Sequence, residues 1–115
     1  MENTLVILHN PRCTTSRKLL ELLAEREVPH RVMDVLNEPL TPDFLDEVCT
    51  ALDLDPSDLV RTQDAVWKER FADLELDESE IALALIEEPR MLQRPIALKG
   101  CKGLIVRPIE RIFEL

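Results

Sequence analysis

The chain has no Cys-x-x-Cys pair, because Ser16 stands three residues after Cys13. Its three cysteines are also an odd count. Neither a disulfide scaffold nor a zinc site is suggested, and a reducing, cytoplasmic setting fits best. No apolar run approaches the ~18 residues of a membrane span, so no membrane partner is expected. Met1-Glu2-Asn3-Thr4 carries no basic stretch, and the expectation is a chain without a signal peptide. With two glycines in all, there is no glycine-rich linker, and no internal repeat or low-complexity tract is present. What remains is one domain, residues 1–115, with 45% apolar residues to build one core.

Positive charge is scarce in the middle of the chain. Between Asp34 and Glu88 lie 17 of the 23 acidic residues and 3 of the 14 basic ones, a local net of −14, whereas the two ends together carry +5. The overall net charge of −9 argues against general nucleic-acid binding. Most of the central carboxylates read as solvated helix faces. The basic flanks matter because they also contain Cys13.

His9-Asn10-Pro11-Arg12-Cys13-Thr14-Thr15-Ser16-Arg17 marks a change of period. Before it, Leu5-Val6-Ile7-Leu8 reads as a buried strand over about residues 4–8. After it, Leu19, Leu20, Leu22 and Leu23 recur at helical spacing, predicting a helix over about 14–27 that ends at Val28-Pro29. Cys13 thus sits at a strand-to-helix turn. There the unpaired N–H groups and the helix dipole favour a thiolate. Arg12, Arg17 and Lys18 add positive charge nearby. The plain alternative is that Cys13 is a small buried apolar residue, as many free cysteines are.

Residues His30 to Val35 alternate as a second strand. Thr41-Pro42 caps a helix bearing Phe44, Leu45, Val48 and Leu52, Asp55-Pro56-Ser57-Asp58 opens a short one, and Val66, Phe71 and Leu74 extend a helical stretch. Asp77 precedes a helix with Ile81, Leu83, Leu85 and Ile86, closed by Pro89. Pro95-Ile96-Ala97-Leu98 and Leu104-Ile105-Val106 flank a turn and read as a hairpin. Pro108 opens a terminal helix with Ile109, Ile112 and Phe113 expected to face inward. The order is β-α-β, a helical segment, then β-β-α. Without the helical segment, that is the order of a thioredoxin-like domain.

Four motifs carry a closer resemblance. They are His9-Asn10-Pro11-Arg12-Cys13 with Ser16-Arg17, Leu59-Val60-Arg61-Thr62, Arg94-Pro95-Ile96, and Arg107-Pro108-Ile109-Glu110. Each is weak alone, but in this order and spacing the chain resembles the glutaredoxin-coupled arsenate reductase family, relatives of Spx-type proteins. The resemblance covers nearly the whole chain. It implies an α/β, thioredoxin-like, mixed four-stranded sheet flanked by helices, with a core of about 1–36 and 89–115 and a helical insert of about 40–88. It also implies a nucleophilic Cys13, an oxyanion clamp of Arg61, Arg94 and Arg107, and a thiolate tuned by His9 and Ser16. A cis peptide at Arg94-Pro95, facing Cys13, comes with the thioredoxin-like fold.

Guanidinium forks suit arsenate, which has the shape and charge of phosphate. The implied activity is reduction of arsenate to arsenite, with glutathione as co-substrate and glutaredoxin as partner, and with no metal or organic cofactor. Because Ser16 replaces a second thiol, the resolving thiol comes from outside or from Cys49 or Cys101. Two other readings stay open: a glutathione-dependent thiol reductase of the same fold, and a redox-responsive protein-binding regulator. Of the remaining residues, Cys49 is expected to be buried in a helix, Cys101 to be exposed in the hairpin turn, His30 to lie at a strand edge, and Trp67 to pack under the insert.

Overall fold

The computed structural model describes residues 4–115. Residues 1–3, on which the signal-peptide expectation rests in part, lie outside the described residues. The sheet has four strands: β1 (Leu5–His9), β2 (Arg31–Asp34), β3 (Ile96–Lys99) and β4 (Lys102–Ile105). Their order is β2-β1-β3-β4, with β1 parallel to β2 and antiparallel to β3, and β3 antiparallel to β4. Four α-helices accompany them: α1 (Thr14–Glu25), α2 (Pro42–Leu52), α3 (Ala65–Arg70) and α4 (Glu78–Glu87). Three 3-10 helices cover Pro56–Leu59, Pro89–Met91 and Ile109–Glu114. This is the expected mixed sheet flanked by helices.

Side chains alternate across a strand, so β1 feeds two cores. Leu5 and Ile7 join Leu19 and Leu23 of α1, with Ala97, Val106 and Ile112, on one face. Leu8 joins Leu45 and Val48 of α2, Leu85 of α4 and Ile96 on the other. The helices between β2 and β3 therefore close the second face of the sheet. Gly103 lets β4 lie close against β3: a Cβ there would lie 2.8 Å from Leu98 Cδ2 and 2.9 Å from the Ala97 carbonyl oxygen, with Ala51 of α2 at an ordinary 3.5 Å. The hairpin turns at Gly100, whose φ of 64° suits glycine.

Cap chemistry sets the helix starts. Thr41 Oγ1 accepts from the Phe44 N–H, and Asp77 and Glu80 form a reciprocal capping box at α4. Helix α1 stops at Glu25, two residues earlier than its apolar spacing predicts, and Glu27 adopts a left-handed φ of 55° before Pro29.

One expectation is corrected at the C-terminus. The last element is a 3-10 helix, and Phe113 is 52% exposed instead of facing inward. At three residues per turn, Ile109, Ile112 and Leu115 share the packed face, which turns Phe113 outward. There its ring lies 5.4 Å under the Arg26 guanidinium.

Candidate active site

The turn after β1 is stitched together by Asn10. Its carbonyl accepts from the Cys13 N–H at 2.9 Å, and its side-chain Oδ1 accepts from the Arg12 N–H at 2.9 Å. Its own N–H donates to Ser16 Oγ at 3.4 Å. Asn10 and Ser16 are buried, so this turn is held from below. Cys13 emerges as the N-cap of α1, with extended φ and ψ of −95° and 122°, and is 7% exposed.

That position decides the acidity of the thiol. Burial pushes its pKa up. A hydrogen bond and charge from Arg94, together with the Ser16 N–H and hydroxyl, outweigh burial and bring the pKa from an ordinary 9.0 down to about 7. No hydrogen bond to the Cys13 side chain closes the helix cap in the thiol form. The backbone donors are therefore left for the stronger acceptor, the thiolate.

Three arginines from three separate segments converge here. Arg107, just after β4, donates from Nη2 to Cys13 Sγ at 3.5 Å, while its Nε donates to the Arg94 carbonyl at 2.8 Å. Arg94, just before β3, donates from Nη1 to the Arg90 carbonyl at 2.6 Å. Its Nε is buried and has no hydrogen-bond partner. Both Arg94-Pro95 and Arg107-Pro108 are cis; the first was expected and the second was not.

Arg61 arrives by a different route. An isolated antiparallel bridge pairs Val60 with Leu92. The Arg61 N–H donates to the Met91 carbonyl and the Gln93 N–H to the Leu59 carbonyl, each at 2.7 Å. This pins the middle of the acidic segment against the chain entering β3. Burial lowers the Arg61 pKa, Arg94 and Arg107 lower it further, and Asp64 and Cys13 oppose them. The three guanidinium groups and the sulfur thus share one electrostatic site.

Two residues of this neighbourhood are absent from the motif reading. Asp64 is buried, with 4% of its side chain exposed. Its Oδ2 lies 3.7 Å from Arg61 Nη1 and 3.3 Å from Arg90 Nε, while its Oδ1 accepts from the Val66 N–H and caps α3. The signal available in the sequence was an N-cap residue ahead of Ala65-Val66, three positions after Arg61. Arg90 carried no signal of its own.

Two pockets flank the cluster. One, about 330 Å³, is lined by Asn10, Arg12, Arg61, Glu88, Arg90 and Arg94 among others. The other, about 250 Å³, lies between Arg61, Thr62, Gln63, Gln93 and Arg107.

The structure brings Cys13, Ser16, Arg61, Arg94 and Arg107 together. His9 sits at the end of β1, buried, with Nδ1 unpartnered among the described residues. Burial lowers its pKa from 6.5, Asp34 opposes that, and Arg17 adds to it. The groups that set the Cys13 pKa are Arg94 and Ser16, and His9 is not among them. Arg17 folds back on the turn, donating to the Pro11 carbonyl and to Thr14 Oγ1.

Cys49 is half-buried in α2, less enclosed than expected, and its pKa is raised by burial and then by Asp46, Asp55, Glu78 and Asp58. Cys101 is exposed in the hairpin turn, and Trp67 packs against the α2–α4 side of the core. His30 precedes β2 by one residue, its Nδ1 2.8 Å from the Val28 carbonyl. Among the described residues, no group of three or more His, Cys, Asp and Glu side chains could hold a metal ion. None of the described helices is long and apolar enough to cross a membrane.

Known proteins resemble this chain in sequence and in fold. The ArsC family model matches residues 8–115. The arsenate reductase of Neisseria meningitidis serogroup B is 35% identical over 108 residues, covering 92% of this chain and 92% of that protein. The uncharacterized protein YfgD of Escherichia coli K12 is 32% identical over 117 residues, covering 100% of this chain and 98% of that protein. The solved structure of arsenate reductase from Vibrio cholerae matches with a TM-score of 0.89 at 27% identity, covering 97% of each chain.

Proposed function

The chain belongs to the ArsC family, and from that premise we propose that it is an enzyme reducing arsenate to arsenite through the Cys13 thiolate, with glutathione and glutaredoxin as reductants. The observation that carries this reading is the convergence of three guanidinium groups on a thiol whose pKa is about 7. One buried donor there, Arg94 Nε, has no partner among the described residues. A tetrahedral oxyanion supplies acceptors for such donors. Exchange of disulfides alone leaves that donor without a use.

In the proposed reaction, Arg61, Arg94 and Arg107 hold arsenate beside the sulfur and spread its charge. The Cys13 sulfur forms a bond to arsenic, and an arsenate hydroxyl leaves as water. The thiol of glutathione forms a second sulfur–arsenic bond with loss of a second water. A sulfur–sulfur bond then forms as both sulfur–arsenic bonds break. One electron pair stays on arsenic, taking it from the +5 to the +3 state. The product takes up one water and leaves as arsenite. Cys13 is left as a mixed disulfide with glutathione, and a glutaredoxin thiol removes the glutathione. Ser16 tunes the thiolate by donating to it.

The test is an arsenate-reduction assay with glutathione and glutaredoxin, reading arsenite release, with mass spectrometry of the protein when glutaredoxin is omitted. The expected result is turnover and a glutathione adduct on Cys13. An internal disulfide from Cys13 to Cys49 or Cys101 in place of that adduct would move the reductant assignment to an internally resolved mechanism. Absence of arsenite under all reductants would remove arsenate itself.

A further inference from the structure

We infer that the arginine-lined pocket of about 330 Å³ beside Cys13 seats the thiol co-substrate, and that Arg12 and Arg90 bind the carboxylates of an anionic thiol peptide of the glutathione class. The inference rests on the reading that an external thiol attacks the Cys13 adduct. It adds where that thiol docks and what recognises it.

The pocket lies in the right place. Asn10 and Arg12 form one wall and immediately precede Cys13, and Arg94, whose guanidinium stabilises the thiolate, forms another. Its volume is within the range of small-molecule sites, roughly 300–1,000 Å³. In this arrangement the thiol would approach the sulfur from the Arg94 side, and the second pocket lies on the Arg107 side with Arg61 common to both.

The pocket also has the right charge. Four guanidinium groups, from Arg12, Arg61, Arg90 and Arg94, face two carboxylates, Asp64 and Glu88. Arg61 and Arg94 belong to the oxyanion. Arg12 makes no ion pair among the described residues, and its side chain is exposed. Arg90 is held through Nε by the buried Asp64, which leaves its terminal nitrogens without a partner among the described residues. An anchored fork with free ends suits a carboxylate. Glu88 gives Oε2 to Arg70 at 2.7 Å and leaves Oε1 without a bond among the described residues. It is placed for an ammonium group. Two cations and one anion match the two carboxylates and one ammonium of glutathione.

Contrast strengthens the assignment. The larger cavity of about 690 Å³, next to Cys49, is lined by Asp46, Asp53, Asp55 and Asp58. An anionic thiol is repelled there. In a chain of net charge −9, the Cys13 pocket is the place where an anion is attracted and a sulfur waits.

The experiment separates docking from chemistry by using S-methylglutathione, which keeps both carboxylates and the ammonium but cannot react. It is titrated by NMR into the wild-type protein, Arg12→Gln and Arg90→Gln. Binding is expected to weaken about two- to fivefold in each variant, as for a solvent-exposed ion pair, and to weaken with added salt. In turnover, the ratio of kcat/KM for glutathione to that for its glycine ethyl ester is expected to fall toward one in at least one of the two variants. No detectable binding, or affinities and ratios that neither variant changes, overturns the inference. Glutathione-driven arsenate turnover alongside such insensitivity would leave the proposed function standing without this site. Binding that depends on Arg12 and Arg90, with no arsenate turnover, would keep the site and remove the proposed reaction.

Discussion

Removing Arg94 is expected to change the reactivity of Cys13 in a form that can be worked out. Burial raises the thiol pKa, and Arg94 is the foremost of the groups that bring it down to about 7. In Arg94→Ala the burial remains and that counterweight is gone, so the pKa returns toward the ordinary 9.0. At pH 7 the thiolate then falls from about one half to about 1% of the protein, a roughly 50-fold loss of nucleophile. Each remaining thiolate is more reactive, because nucleophilicity rises with pKa at a slope of about 0.4–0.5, which returns about six- to tenfold. The variant is therefore expected to react about five- to eightfold more slowly than the parent at pH 7 and about six- to tenfold faster near pH 10, so the two profiles cross. The assay is exchange with an uncharged disulfide such as 2,2′-dithiodipyridine, in a Cys49→Ser/Cys101→Ser background where Cys13 is the only thiol. An uncharged probe removes steering by the arginines. Arg107→Ala serves as the comparison, since Arg107 is the arginine whose Nη2 lies 3.5 Å from the sulfur. A midpoint that stays near 7 in Arg94→Ala, or profiles that never cross, would refute the electrostatic argument.

Cys13→Ser is expected to abolish arsenate reduction, while Cys49→Ser and Cys101→Ser retain most of it; steady-state arsenite release checks this, and an active Cys13→Ser protein would end the nucleophile assignment. Sulfate and phosphate are expected to compete with arsenate, and Arg61→Ala to weaken that binding by about 1.5–3 kcal/mol, with Arg61→Lys restoring only part because the fork is lost. Inhibition constants measured at fixed ionic strength decide it, and an unchanged constant in Arg61→Ala would take Arg61 out of the clamp. His9 is held below its ordinary pKa of 6.5, chiefly by burial, so the unfolded chain takes up its proton first as pH falls. Stability is expected to be complete above pH 6.5 and to be lost as pH drops through 6.5 toward the folded value, and urea denaturation from pH 7 to 5 should show a shallower slope for His9→Gln. Equal slopes would mean that His9 protonates alike in both states.

Much of this site was legible because local rules and global fold agree around Cys13. A β-branched apolar run, a polar turn and a leucine-spaced helix place the cysteine at a helix start without any tertiary information. Arg94 and Arg107 were legible only as pairs with proline in motif context, since an isolated Arg-Pro is ordinarily a surface turn. Asp64 was not legible as a partner of Arg61 and Arg90. Its effect depends on the bridge from Val60 to Leu92, which brings together residues about thirty positions apart, and one carboxylate among 17 in an acidic segment carries no mark. The C-terminal helix failed for a different reason. Over six residues, spacings of 3 and 3.6 both fit Ile109 and Ile112 and diverge only at Phe113 and Leu115.

The way the cations are held sets how much of their charge faces the site. Converging guanidinium groups repel one another, and a common remedy is a facing carboxylate for each. Here two of the three are anchored on backbone carbonyls behind the site: Arg94 on Arg90, and Arg107 on Arg94. A carbonyl orients a guanidinium without neutralising it. Among the described residues, only Arg61 of the three has a carboxylate, and it shares Asp64 with Arg90. The positive potential at Cys13 is thus left largely unspent inside an acidic protein. That potential lowers the thiol pKa, and it is available to an oxyanion. Activation of the nucleophile and binding of its target therefore draw on the same charges, and substitutions at Arg94 must move both together.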